Sequence, residues 1–111
     1  MAKSRIVLIV DDSEVTRAAL TARLTQRGAS VVCASSARDA LALDCKAVTA
    51  AIVDVDLGTG DDGVTLANVL VDRNPRLRLA LFTGEDRSVS DRTTFRKPEE
   101  VDRVVAWALE D

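Results

Sequence analysis

Three short apolar runs, RIVLIV (5–10), AAIVDV (50–55) and LRLALF (77–82), constrain the fold more than any other feature of the chain. They are shorter than an ordinary helix, rich in branched side chains and almost free of polar interruptions. Strands buried on both faces of a parallel sheet have this pattern. The segments between them read as helices. SEVTRAALTARLTQRG (13–28) carries apolar residues at helical spacing and ends on Gly28. SARDALALD (36–44) is a short helix capped by Ser36, and VTLANVLVDRN (64–74) is one closed by Asn74-Pro75. SVVCAS (30–35) and TTFRK (93–97) supply two further strands. PEEVDRVVAWALE (98–110) is a helix, with Pro98 expected at its first position and Val101, Val104, Val105, Ala108 and Leu109 forming its stripe. Strands separated by helices imply right-handed crossovers and one parallel sheet covered on both faces.

The chain has 111 residues, the size of one ordinary domain, so residues 1–111 are expected to form a single domain with no output domain. A net charge of −3 without a Lys/Arg cluster argues against direct nucleic-acid binding. No apolar run reaches the roughly 18 residues of a membrane span, and the start of the chain does not read as a signal peptide. No membrane association and a cytoplasmic location are therefore expected. The chain contains no histidine, which excludes Ser-His-Asp, Cys-His and histidine-metal chemistry. Cys33 and Cys45 lack metal-ligand spacing and are expected to be small buried hydrophobes.

In an open parallel sheet the residues just past the strand C-termini share one edge, where ligands bind. That edge should collect Asp11 and Asp12 from the first strand, Asp54 from the third, Thr83 from the fourth and Lys97 from the fifth. Clustered carboxylates raise one another's pKa unless a cation neutralises them, and hard oxygen ligands suit Mg²⁺. Carboxylates, a hydroxyl and an ammonium around a divalent ion suit phosphoryl transfer, with Asp54 as nucleophile.

These residues resemble the receiver domain of two-component response regulators over nearly the whole chain. The resemblance implies a flavodoxin-like α/β fold, a three-layer doubly wound five-stranded parallel sheet of order 2-1-3-4-5. It implies that Asp11, Asp12, Asp54 and the backbone carbonyl of Asp56 hold Mg²⁺ or Mn²⁺. Asp54 would accept a phosphoryl group from a phosphohistidine of a sensor histidine kinase or histidine phosphotransfer protein. Thr83 would turn toward the phosphate, and Lys97, before a Pro98 whose peptide bond is usually cis in the family, would pair with it. Such a chain is a phosphoacceptor, not an enzyme acting on other substrates, and signals through an unidentified protein partner or as a homodimer.

Three departures from the family pattern are visible in the sequence. Gly58 stands where proline is usual, in a loop that looks one residue longer, and Asp56 adds a carboxylate near the site. EDRSVSDR (85–92) leaves room for at most about 12 Å of helix where a full fourth helix is usual, so that helix should be short or absent. The aromatic position three before the lysine is Thr94, and strand alternation turns Phe95 to the opposite face, toward the core. Trp107 lies on the flank of the last helix, where it could pack at the core edge or anchor an interface. Two alternatives compete with a phosphorylated receiver. One is a pseudo-receiver acting only as an interaction module. The other is a small phosphohydrolase of haloacid-dehalogenase type, suggested by IVDVDLG but opposed by Gly58 and by an acidic pair that precedes the lysine.

Overall fold

A computed structural model describes residues 4–58, 62–84 and 92–110. The chain alternates β1 (Ile6–Val10), α1 (Glu14–Gln26), β2 (Ser30–Ala34), α2 (Ala37–Leu41), β3 (Ala50–Val53), α3 (Gly63–Arg73), β4 (Arg78–Thr83), β5 (Thr94–Arg96) and α4 (Val101–Ala108). The strands form one parallel sheet in the order β2-β1-β3-β4-β5, the doubly wound flavodoxin-like arrangement expected from the sequence. The expectation about a reduced fourth helix concerns residues 85–92 and, apart from Arg92, lies outside the described residues.

Each central strand is apolar on both sides because both faces of the sheet are covered. Leu8, Val10, Ala51, Val53, Leu79 and Leu81 point into a core closed by Leu66, Ala67 and Leu70 of α3. The alternate residues Val7, Ile9, Ala50, Ile52, Ala80 and Phe82 meet Leu20 and Leu24 of α1 and Val104, Val105 and Ala108 of α4. A side-chain period of two therefore divides one continuous apolar run between two cores. Burial of each large residue contributes about 1.5–3 kcal/mol.

Local chemistry sets the helix ends. Ser13 Oγ accepts from Thr16 N–H at 3.3 Å, capping α1. At the other end Gly28 takes φ +90°, and the N–H groups of Gly28 and Ala29 donate to the carbonyls of Thr25 and Leu24. Asp62 caps α3, accepting from Val64 N–H at 2.9 Å and from the Thr65 hydroxyl at 3.3 Å.

The last helix begins later than the sequence suggests. Pro98 follows a cis peptide bond and lies in a turn, and α4 starts at Val101. Lys97 N–H still donates to the Thr83 carbonyl at 2.8 Å, so residue 97 remains tied to the sheet and the chain must turn before it can coil. Glu100 fills that turn: its Oε1 accepts from Arg96 N–H at 3.0 Å and its Oε2 from Arg103 Nη1 at 2.9 Å.

Phe95 behaves as strand alternation requires. Its half-buried ring packs against the α1/α4 core, with its centroid 6.2 Å from that of Trp107. Trp107 is a core-edge residue on which the Arg78 guanidinium stacks at 4.5 Å, while Arg78 Nη1 donates to the carbonyls of Trp107 and Glu110. The cysteines correct the expectation of burial. Cys33 is exposed, because β2 is the sheet's edge strand and its outer face is only partly covered, and Cys45 is half-buried. Burial and the neighbouring Asp44 push the Cys45 thiol up, away from the reactive thiolate.

Candidate functional site

Sheet pairing continues one residue past three of the strands, and this extension builds the site. Asp11 N–H donates to the Ala34 carbonyl at 3.1 Å, Asp54 N–H to the Val10 carbonyl at 2.8 Å, and Lys97 N–H to the Thr83 carbonyl. Asp11, Asp54 and Thr83 are thereby fixed at the C-terminal edge with exposures of 2%, 6% and 3%. They are the buried polar residues among the described part of the chain, which sets this edge apart from an ordinary solvated strand end.

One carboxylate oxygen from each of Asp11, Asp12 and Asp54 falls within 4.8 Å of the others. Lys97 spans the group, with Nζ 2.6 Å from Asp11 Oδ2 and 3.1 Å from Asp54 Oδ2. Three carboxylates against one ammonium leave a formal −2 when all are ionised. The consequence is visible in Asp54, whose carboxyl is pushed up to about 6 by burial first and by the Asp11 charge second, with Lys97 opposing. At Lys97, burial favours the neutral amine, but the hydrogen bond and charge of Asp11, joined by Asp54, outweigh it and hold the ammonium above its ordinary range. An all-oxygen donor set with surplus negative charge, one member (Asp12) exposed to solvent, fits a hard divalent cation such as Mg²⁺ or Mn²⁺.

The remaining expected residue, Asp56, is exposed and plays a different part from a free carboxylate over the site. Its N–H donates to Asp54 Oδ1 at 3.2 Å, and its own Oδ1 accepts from Gly58 N–H at 3.0 Å. The side chain is thus used within its loop. Thr83 adjoins Lys97 across the sheet through its carbonyl and is buried beside the cluster.

Several supporting residues were not singled out in the sequence. Arg17 Nη1 reaches from α1 to the Asp11 carbonyl at 2.7 Å, and Asp11 Oδ1 accepts from Ser13 N–H at 2.9 Å, locking the β1–α1 turn. Gly63 opens α3 directly against Asp54: a Cβ there would collide with the Asp54 carbonyl oxygen and lie 2.7 Å from its carbon. The signal available for Gly63 was the glycine following two aspartates in GDDGV, which reads as an ordinary turn.

No helix among the described residues is long and apolar enough to cross a membrane. No curated protein matches the chain. Solved structures do. A response regulator from Burkholderia pseudomallei, with a phosphorylated aspartic acid, a calcium ion and citrate, is 28% identical at a TM-score of 0.80 over 96% of this chain and 67% of that one. The response regulator TrrA from Thermotoga maritima, in complex with Mg²⁺ and BeF, shares the fold at 21% identity and a TM-score of 0.78, covering 95% of this chain and 99% of that one. A CheY-like receiver domain from Methanospirillum hungatei does so at 20% identity and 0.77, covering 96% and 97%. The sequence profile of the response regulator receiver domain matches residues 7–104, and with the order 2-1-3-4-5 and the acidic edge already in place, the chain belongs to the response regulator receiver domain family.

Proposed function

We propose that this chain is a phosphoacceptor that takes a phosphoryl group on Asp54 from a phosphohistidine of a sensor histidine kinase or a histidine phosphotransfer protein, with Mg²⁺ or Mn²⁺ bound. The observation that carries the reading is the Asp54 carboxylate, buried at the strand edge, 3.1 Å from the Lys97 ammonium and within one cluster with Asp11 and Asp12. The phosphorylated aspartate and calcium of the Burkholderia relative and the Mg²⁺ of TrrA support it by analogy.

In the transfer an Asp54 carboxylate oxygen attacks phosphorus. The new O–P bond forms as the P–N bond breaks, and its electron pair returns to the donor imidazole, which takes up a proton from solvent. A bound Mg²⁺ supplies charge neutralisation for the attacking carboxylate and the transferring oxygens. Asp11, Asp12 and Asp54, with the Asp56 carbonyl, would hold that ion. Lys97, released from Asp11, pairs with a phosphoryl oxygen, and the Thr83 hydroxyl donates to another. Water later hydrolyses the acyl phosphate to the Asp54 carboxylate and inorganic phosphate, so the chain turns over its own phosphoryl group and no other substrate. Being loaded by such a kinase places it in the cytoplasm.

A groove of about 190 Å³ between α1 and the turn before α4, lined by Val15, Ala19, Phe82, Pro98 and Val101, reaches Lys97. Val15 is the exposed large hydrophobic of the described residues, at 80%. This groove's continuity with Lys97 suits the apolar face of the helix that carries the donor histidine. The downstream partner is read without the usual aromatic, since Thr94 is exposed and the Phe95 ring already packs on Trp107.

Incubation with Mg²⁺ and acetyl phosphate should add one phosphoryl group to the wild type and none to Asp54→Asn, read by intact mass. An unmodified wild type would favour the pseudo-receiver, and multiple turnover of an unrelated phosphate ester would favour the hydrolase. Lys97→Met should bind Mg²⁺ at least as tightly as wild type, because the ammonium competes for Asp11 and Asp54. It should accept phosphate from acetyl phosphate about 100-fold more slowly. Loss of Mg²⁺ affinity in this variant, measured by calorimetry, would contradict the assignment of Lys97 to phosphate.

A further inference from the structure

We propose that Gly58 is a positioning residue for the Asp12 carboxylate, keeping clear the space in which that side chain joins Asp11 and Asp54 as a metal ligand. The inference rests on the reading of the cluster as a divalent-metal site.

Gly58 adopts φ +81°, and a Cβ built on it would overlap Asp12 Oδ2 and lie 3.5 Å from Asp12 Cγ. Apart from Gly58 itself and its chain neighbours, nothing else in the described structure comes within 4 Å of that Cβ. The overlap falls on the far end of a side chain, so an added Cβ would rotate Asp12 out of the cluster more readily than it would unfold the domain. The loop is held in place to make this matter. Asp56 N–H is bonded to Asp54 Oδ1, and Asp56 Oδ1 binds Gly58 N–H, so a turn anchored on the acceptor residue carries Gly58 over Asp12. The proline usual at this position in the family could not adopt the positive φ, since its ring fixes φ near −65°. The loop of this chain instead presents bare backbone to the exposed member of the cluster.

The test is Mg²⁺ titration calorimetry on the wild type, Gly58→Asn, Asp12→Ala and the double variant. Asparagine tolerates the left-handed backbone better than alanine, so Gly58→Asn adds the Cβ while limiting the backbone strain that could unfold Gly58→Ala. Gly58→Asn should bind Mg²⁺ about tenfold more weakly than wild type. It should cause no further loss when Asp12 is already alanine. Equal losses in both backgrounds would mean a general loop effect and overturn the proposal, as would wild-type affinity in Gly58→Asn. A wild type that binds no Mg²⁺ would remove the metal-site reading and this inference together. A wild type that binds Mg²⁺ and shows the Gly58 effect, yet gains no mass from acetyl phosphate, would leave the positioning role standing and remove only the phosphoacceptor.

Discussion

In metal-free buffer at pH 7.5, Asp54→Asn is expected to unfold about 8–13 °C above the wild type. Burial and the Asp11 charge raise the Asp54 carboxyl to about 6, above the unfolded value near 3.9. Between those values the folded chain binds more protons than the unfolded one, so the stabilisation is complete below about pH 4 and is lost as pH rises through about 6. Above that range the wild type holds a carboxylate that its surroundings disfavour, at a cost of about 2–3 kcal/mol. Asparagine keeps the shape without the charge, and Lys97 keeps its 2.6 Å partner Asp11. Thermal unfolding of both proteins from pH 4 to 8 checks this: the melting temperatures should converge toward pH 4 and separate above 6. Saturating Mg²⁺ should then raise the wild type's melting temperature far more than the variant's, because binding to the folded state alone adds stability. A variant less stable than wild type at pH 7.5 without metal would show that Asp54 is held by attraction and not under repulsion.

Gly63→Ala should be among the most damaging single substitutions in the chain, costing 3 kcal/mol or more against the roughly 1–3 kcal/mol usual for overpacking. Alanine is the better helix former, by about 1 kcal/mol in a helix interior, so propensity alone points the other way. Sterics decides the sign. The new methyl would strike the Asp54 carbonyl and come within 2.9 Å of Val55 Cα, and these are backbone atoms fixed by sheet pairing that cannot rotate aside. The first turn of α3 would have to lift, breaking the 2.9 Å bond from Gly63 N–H to the Val55 carbonyl and loosening Leu66, Ala67 and Leu70 from the core. Urea unfolding should show a lower midpoint. An unchanged midpoint would mean that the contact between α3 and the β3 edge has slack.

The polar edge was legible because a common strand direction follows from local patterns, while the strand order 2-1-3-4-5 came from the family resemblance. A fully apolar run followed by Asp11-Asp12, another by Asp54 and a third by Thr83 must share an edge once the sheet is parallel. The start of α4 was not legible, because its delay to Val101 depends on Lys97 being bonded to Thr83, fourteen residues earlier in the chain. Cys33 was misjudged for a related reason. A strand sequence does not say whether it lies at the margin of a sheet, and β2 does.

The sequence by itself determined the parallel sheet, the gathering of Asp11, Asp12, Asp54, Thr83 and Lys97 at one edge and the inward turn of Phe95, since each follows from side-chain period and strand polarity. Only the tertiary structure decided how Lys97 divides itself between Asp11 and Asp54, how far the Asp54 carboxyl rises, and why Gly58 and Gly63 must lack side chains. Those properties depend on distances between segments remote in sequence, and at contact range a difference of about 1 Å decides both electrostatic strength and steric overlap.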